Sequence, residues 1–311
     1  MPDIVIPEFM NETVVAELAA DYDVLYDPEM LAVPLHLEQA LRTAPALIVR
    51  NRTQVRGALL EAAVHLKVIG RLGVGLDNID LATCERRGIA VVRADLANAE
   101  SVAEYVISGI LMLMRGGAYF TTNDVIAGDW PRTRVIGREV KGKTLGLVGF
   151  GAIGRAVATQ AISLGMRVIA SDPPIERDDE IWAQTGVSPY DLSDLLGQSD
   201  VVSIHTPLTD ETRNLIDGAA LRALKPGAML INAARGGIVD ERALVESLRS
   251  GVLGGAMLDV FETEPLPASS CFKDVPNLIL TPHIAGVTEE SNARVSAMVA
   301  TGVRQVLERN Q

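Results

Sequence analysis

"TLGLVGFGAIGRAVATQAISLGMRVIASD", residues 144–172, reads as a strand, a glycine turn, a helix and a second strand. The apolar run TLGLV has the composition of a strand buried on both faces, and IGRAVATQAISLG carries apolar residues at helical spacing. Between them stand Gly149, Gly151 and Gly154 in the spacing GxGxxG. Such a triplet alone says little, because glycines also end strands and open helices. Its position after a strand and at the start of a helix gives it meaning, because free N–H groups at the helix end then face whatever lies above the strand ends and can seat a pyrophosphate. The second strand ends at Asp172, eighteen residues after Gly154. A carboxylate at that distance bonds a ribose 2′-hydroxyl and repels a 2′-phosphate, which favours NAD over NADP. A turn cap before Pro173 and Pro174 is the structural alternative for Asp172.

The same alternation extends in both directions. The first third holds the short apolar runs DIVIPEF, ALIVRN, LKVIGRLG and IAVVRAD, with helical stretches such as NETVVAELAA among them. After TLGLVGF and MRVIASD come VVSIHTPL, AMLINAAR, LGGAMLDV and NLILTPHI. Strands alternating with helices predict two α/β units with parallel sheets. Between the series, a helical stretch leads into AGDWPRTRVIGREVKGK, which reads as an arm with apolar surface at Trp130 and Val135 and predicts an oligomer contact. EESNARVSAMVATGVRQVLERN reads as a long closing helix that returns to the first unit and makes it discontinuous.

Composition narrows the partners. Of 311 residues 48% are apolar and 22% charged, so the chain can bury two cores and is not a disordered segment. The net charge of −12 disfavours a nucleic-acid or anionic-lipid surface. Cys84 and Cys271 stand far apart with no CxxC, which predicts neither disulfide nor metal site and suits a reducing compartment. The N-terminus has no signal-peptide pattern, and YVISGILMLM (105–114) is too short to span a bilayer, so a soluble, cytoplasmic protein is expected.

Two of the four histidines fall at strand ends beside prolines, His205 in SIHTPL and His283 in LTPHIAG. The ligand crevice of an open α/β sheet lies at such ends. His36 and His65 lack that setting and are expected on the surface or in packing. Hydride transfer between a nicotinamide and an alcohol needs an acid/base that titrates near neutrality, which makes His283 the candidate. DVFETEPLP offers Asp259, Glu262 and Glu264 as carboxylates that would favour its imidazolium. Arg235, in NAARGG, is placed to bind a substrate carboxylate in bidentate fashion. Each of these has a bland reading by itself; three at strand ends of one sheet point to a site.

These residues, with GRLGVGLDNIDLATCERRGIAV (70–91), SVAEYVI (101–107), KGKTLGLVGFGAIGRAVA (141–158), LKPGAMLINAARGGIVDERALVESLRSG (224–251), GAMLDVFETEPLP (255–267) and NLILTPHIAG (277–286), resemble the D-isomer-specific 2-hydroxyacid dehydrogenases over nearly the full chain. The resemblance implies a catalytic set in which Arg235 holds the substrate carboxylate and polarises the carbonyl, His283 exchanges the proton and Glu264 pairs with His283. It implies cofactor contacts from Gly151, Ile153, Asp172, His205, Thr206, Pro207, Ala233 and Asp259, beside the turn glycines Gly149 and Gly154. It also implies two Rossmann-like, doubly wound parallel-sheet domains. A substrate domain of residues 1–98 and 285–311 would hold an inserted NAD domain of residues 99–284, with a dimerisation arm near 116–142 and a homodimer built through the NAD domains. The family's formate-oxidising branch carries glutamine where this chain has Glu264, which argues against formate.

For the substrate, VRNRTQV places Arg50 and Arg52 around Asn51 after a strand, and in the family this loop and the turn Gly73, Val74, Gly75 face the substrate. Backbone N–H groups of that turn can receive a carboxylate, and two arginines suggest a second anionic group, a sulfonate or phosphate. That favours 3-sulfolactate or 3-phosphoglycerate; phosphoglycerate dehydrogenases have serine where Asn51 stands, which leans toward sulfolactate. A surface charge pair is the plain alternative for the arginines, and Arg132 and Arg134 in the arm are further candidates. A glyoxylate or hydroxypyruvate reductase, or an NAD-sensing binding module without turnover, remain the other functions.

Overall fold

Two parallel sheets, each buried on both faces, carry the chain. The computed structural model describes residues 1–32 and 34–309. The chain divides into one unit of Met1–Asn98 with Val287–Gln311 and a second of Ala99–Gly286. The second unit thus runs to Gly286, and the Ala285 amide within it is bonded at 2.7 Å to the Asp259 carboxylate.

In the first unit, strands β1 (Ile4–Ile6), β2 (Val24–Tyr26), β3 (Ala46–Val49), β4 (Val68–Arg71) and β5 (Ala90–Arg93) pair in the order β2-β1-β3-β4-β5, all parallel. Side chains alternate across this sheet: Ile4, Ile6 and Ile48 face helix α1 (Glu12–Ala19) and the closing helix Glu289–Arg309, while Val5, Leu47 and Val49 face the opposite core. Continuous apolar strands are the signature of such double burial. Asn11 caps α1 by accepting the Val14 amide at 3.2 Å, which explains why the helix starts at NETVV. Strand β2 is three residues of partly exposed edge, too short to show a period, and no sequence pattern announced it.

The second unit opens with the helix Ala99–Met114, which covers YVISGILMLM; among the described residues no helix is long and apolar enough to cross a membrane. Its seven strands are β6 (Thr144–Val148), β7 (Arg167–Ser171), β8 (Ser188–Pro189), β9 (Val201–Ile204), β10 (Ala228–Asn232), β11 (Leu253–Leu258) and β12 (Leu278–Leu280), in the order β12-β11-β10-β9-β6-β7-β8. All pairs are parallel, as crossover helices require. The strand order reverses between β9 and β6, the point at which a crevice opens above an α/β sheet. Beyond the helix at Thr122–Ile126 the arm has little regular structure and leaves Trp130 73% and Ile136 78% exposed.

Candidate active site

Along the C-terminal edge of the larger sheet, the expected site residues follow one another strand by strand. His283 follows β12, Asp259 and Glu264 follow β11, Ala233 and Arg235 follow β10, His205 follows β9, Gly149 follows β6 and Asp172 follows β7. Parallel pairing puts all these ends on one side, so residues scattered over more than a hundred positions share one rim.

The glycine turn is built by close approach. Gly149 has φ of 96°, and a Cβ there would lie 2.7 Å from the His205 carbonyl carbon, so only glycine lets the turn rest on the segment after β9. A Cβ on Gly154 would lie 2.5 Å from the Gly149 oxygen, which locks the helix onto the turn. Gly151 differs: it is the N-cap of the twelve-residue helix Ala152–Ser163, lacks a side-chain cap, and meets nothing within 4 Å of a would-be Cβ. The helix end is thus open to a phosphate on its backbone side. Asp172 is anchored beside it, accepting the Phe150 amide at 2.6 Å. A bare helix N-terminus with a fixed acidic neighbour fits a dinucleotide that carries a free ribose 2′-hydroxyl. Ile153, Thr206 and Ala233 are half-buried and Pro207 is exposed on the same rim. His205 bonds Ser203 Oγ through Nε2 at 2.9 Å, and burial pushes its pKa down to about 4, so the ring is neutral at physiological pH.

Arg235, Glu264 and His283 come together farther along the rim. His283 Nδ1 lies 2.7 Å from Glu264 Oε2, with side chains 31% and 29% exposed. Glu264 Oε1 accepts the Phe261 amide at 3.1 Å. Burial alone would raise the Glu264 carboxyl, but the bond and charge of His283, the Phe261 amide and the Arg235 charge hold it below the ordinary range. The Arg235 loop is pinned by Asn232, whose Oδ1 accepts the Ala234 amide at 3.0 Å and whose Nδ2 donates to the Arg235 carbonyl at 2.9 Å. Gly236 closes the gap: a Cβ there would fall 1.9 Å from the Phe261 oxygen. The guanidinium and carboxylate loops can meet only because that position is bare. Glu262 is exposed and its amide donates to Glu241, so it takes no part in the histidine pair.

His283 has φ of 56°, an unusual backbone for a residue with a branched ring side chain. Asp259, 1% exposed, fixes the residues that follow it: Oδ1 accepts the Ile284 amide at 2.8 Å and Oδ2 the Ala285 amide at 2.7 Å. A carboxylate holding two consecutive amides sets the loop that presents the imidazole.

In the first unit, the loop after β3 is organised by a residue that the sequence did not single out. Glu8 is 4% exposed, and its carboxylate accepts the amides of Arg50 at 2.9 Å, Arg52 at 3.2 Å and Thr53 at 3.1 Å, with the Thr53 hydroxyl at 2.7 Å. Asn78 Nδ2 bonds the carbonyls of the same loop, Arg50 at 2.8 Å and Thr53 at 2.7 Å. The two arginines then diverge. Arg50 stacks 3.6 Å above the Phe9 ring, donates to the Phe9 carbonyl at 2.7 Å and bonds Asn292; burial lowers its pKa to about 10. Arg52 is exposed and Asn51 half-buried. Near them, the buried Arg71 folds over Gly73, where a Cβ would lie 2.0 Å from the guanidinium, and Val74 and Gly75 are half-buried. Arg134 of the arm pairs with Asp124 at 2.6 Å, Arg132 is exposed, and His36 and His65 are both surface residues.

The family model described as D-isomer specific 2-hydroxyacid dehydrogenase, NAD binding domain, matches residues 107–285. The chain is 53% identical over 307 residues to the (S)-sulfolactate dehydrogenase of Chromohalobacter salexigens, with 99% of each covered. It is 40% identical, over 86% of its own length, to the D-3-phosphoglycerate dehydrogenase of Bacillus subtilis, of which it spans 50%. The crystal structure of the TT0316 protein from Thermus thermophilus superposes with a TM-score of 0.89 at 32% identity, over 98% of this chain and 96% of that one. The matched domain is the unit that carries the glycine turn and the Arg235, Glu264, His283 rim, and the chain belongs to the NAD-dependent, D-isomer-specific 2-hydroxyacid dehydrogenases.

Proposed function

We propose that the enzyme oxidises a 2-hydroxy acid bearing a second anionic group, 3-sulfolactate in the first place and 3-phosphoglycerate in the second. The observation that carries this reading is the loop fixed by Glu8, which commits Arg50 to the protein and leaves the Arg52 guanidinium exposed. The (S)-sulfolactate dehydrogenase relative supports the sulfonate. A guanidinium matches the tetrahedral oxyanion of either acid.

Gly149, Gly151, Ile153, Gly154, Asp172, His205, Thr206, Pro207, Ala233 and Asp259 would hold the dinucleotide. When bound, NAD supplies the hydride acceptor or donor for carbon C2 of the acid. Arg235 binds the C1 carboxylate and polarises the C2 oxygen. His283 takes the C2 hydroxyl proton in oxidation and returns it in reduction. Glu264, charged and bonded to Nδ1, stabilises the imidazolium and keeps Nε2 as the working nitrogen. Arg50 is committed to holding the loop, and Asn51 with the turn Gly73, Val74, Gly75 contributes polar groups to substrate binding. The exposed Trp130 and Ile136 support an arm that is covered in a homodimer, and the two free cysteines support a cytoplasmic protein.

NADH formation from 3-sulfolactate, 3-phosphoglycerate, glycerate and lactate tests the assignment, in wild type and Arg52→Ala. A preference for the doubly anionic acids that falls by about tenfold or more in Arg52→Ala is expected. Equal rates with glycerate, indifferent to Arg52, would instead make the enzyme a reductase of small 2-oxo acids. Loss of turnover in His283→Ala with NADH binding kept is expected of the enzyme, whereas an NAD-sensing module would not respond.

A further inference from the structure

Tyr105 lies in the helix that opens the second unit and Thr281 just after β12, and their hydroxyls meet at 2.5 Å. Thr281 Oγ1 is also 2.7 Å from Asp259 Oδ1. The direction of these bonds follows from counting hydrogens. Asp259 accepts the Ile284 and Ala285 amides, and its Oδ1 also accepts the Thr281 hydroxyl; burial raises its carboxyl while these three donors lower it. Thr281 has one hydroxyl hydrogen, which goes to Asp259, so Tyr105 must donate to Thr281. Burial raises the Tyr105 hydroxyl pKa well above its ordinary value, and the tyrosine keeps the proton it donates.

We propose that Tyr105 and Thr281 are positioning residues for His283: the chain Tyr105 to Thr281 to Asp259 aims the carboxylate whose oxygens hold the Ile284 and Ala285 amides. The inference rests on the assignment of His283 as the proton-exchanging group. The imidazole is then held from two sides. Glu264 fixes the ring at Nδ1, and Asp259 fixes the backbone directly after it, where φ of 56° requires support. With Thr281 unable to accept from Tyr105, its hydroxyl turns, Asp259 loses a fixed donor and the His283 segment loosens. Displacement of an acid/base by about 1 Å is enough to slow proton exchange by orders of magnitude.

Tyr105→Phe, Thr281→Val, Thr281→Ser and the Tyr105→Phe/Thr281→Val double variant test the relay. Tyr105→Phe fills nearly the same volume, and thermal unfolding checks that each variant folds. Tyr105→Phe is expected to lower kcat about five- to twentyfold, with KM for the acid within about twofold of wild type. Thr281→Ser should stay near wild type because it keeps the hydroxyl. Thr281→Val should lose at least as much as Tyr105→Phe, and the double variant no more than Thr281→Val, since Tyr105 acts only through Thr281. Amide hydrogen exchange at Ile284 and Ala285, followed without cofactor, should quicken in Tyr105→Phe and Thr281→Val and not in Thr281→Ser. Wild-type kcat and exchange in Tyr105→Phe, or losses that multiply in the double variant, would overturn the inference. Turnover that survives His283→Asn would sink the proton-exchange assignment instead, and the exchange data would still report the relay.

Discussion

Glu264 Oε2 holds His283 Nδ1 at 2.7 Å while Glu264 Oε1 holds the Phe261 amide at 3.1 Å, so one carboxylate ties the loop after β11 to the loop after β12. Its pKa is held low because the His283 bond and charge, the Phe261 amide and Arg235 outweigh burial. The charge is therefore present across the neutral range. The stabilisation from this depressed carboxyl is complete above its unfolded value and is lost as pH falls through the folded one.

Glu264→Gln keeps the shape of the side chain and removes the charge. Reduction of the 2-oxo acid draws its proton from His283, whose Nδ1 the Glu264 carboxylate holds at 2.7 Å. We expect kcat for reduction to fall about ten- to a hundredfold. NADH affinity should be unchanged. Steady-state rates in both directions check this, and wild-type kcat would show that the charge of Glu264 is dispensable.

Gly236→Ala tests the approach of the Arg235 loop to the Phe261–Glu264 loop. A methyl 1.9 Å from the Phe261 oxygen has no room, and the contact is backbone, which cannot swing aside as a side-chain tip can. One loop must retreat by an ångström or more. The expected result is loss of about a hundredfold or more in kcat/KM, with binding of NADH at the Gly151 end of the rim within a few fold of wild type. Full activity would mean that the two loops need not meet.

How much of this was legible depended on distance along the chain. Gly149, Gly151, Gly154 and Asp172 belong to one strand-helix-strand unit, so local spacing carried both the fold and their setting. Arg235 and His283 were reachable because a strand end beside glycine or proline is visible in sequence. Glu8 was not: it is a single glutamate in IPEFM, and its partners lie 42 to 45 residues on. Tyr105 and Thr281 are 176 positions apart, and no periodicity connects them. Nor could sequence separate Arg50 from Arg52. Which guanidinium is spent on Phe9 and Asn292 is decided by the closing helix and β1 segment folding against the loop.

The same loop gives a stability prediction. Glu8→Gln can keep an oxygen for the Arg50 and Thr53 amides but removes the charge and sets its NH2 against the Arg52 N–H, donor against donor. We expect a loss of about 2–4 kcal/mol in unfolding free energy of the first unit. Arg50→Ala removes the stack on Phe9 and two hydrogen bonds and should cost about 1–3 kcal/mol. Arg52→Ala, at an exposed side chain, should change stability by less than about 0.5 kcal/mol. Urea denaturation of the three variants measures the contrast; equal losses for Arg50 and Arg52 would contradict the division of roles.

His205 supplies a pH dependence of stability that is separate from catalysis. Burial lowers its pKa to about 4, against about 6.5 in an unfolded chain. A folded-state value below the unfolded one means that the unfolded chain takes up the proton first as the solution is acidified. The stabilisation is therefore complete above about pH 6.5 and is lost progressively as pH falls toward 4. The interval between about pH 7 and pH 5 spans the unfolded-state titration of the imidazole. His205→Gln removes the titrating group while keeping a polar partner for Ser203. Wild type without cofactor should lose about 1–2 kcal/mol more than His205→Gln between pH 7 and pH 5 in urea denaturation. Taking the difference between the two proteins cancels the contribution of every titrating group common to both, the raised carboxyls of Glu241 and Asp259 among them. Parallel pH dependences would mean that His205 accepts a proton in the folded state, and the neutral ring beside the glycine turn would have to be given up.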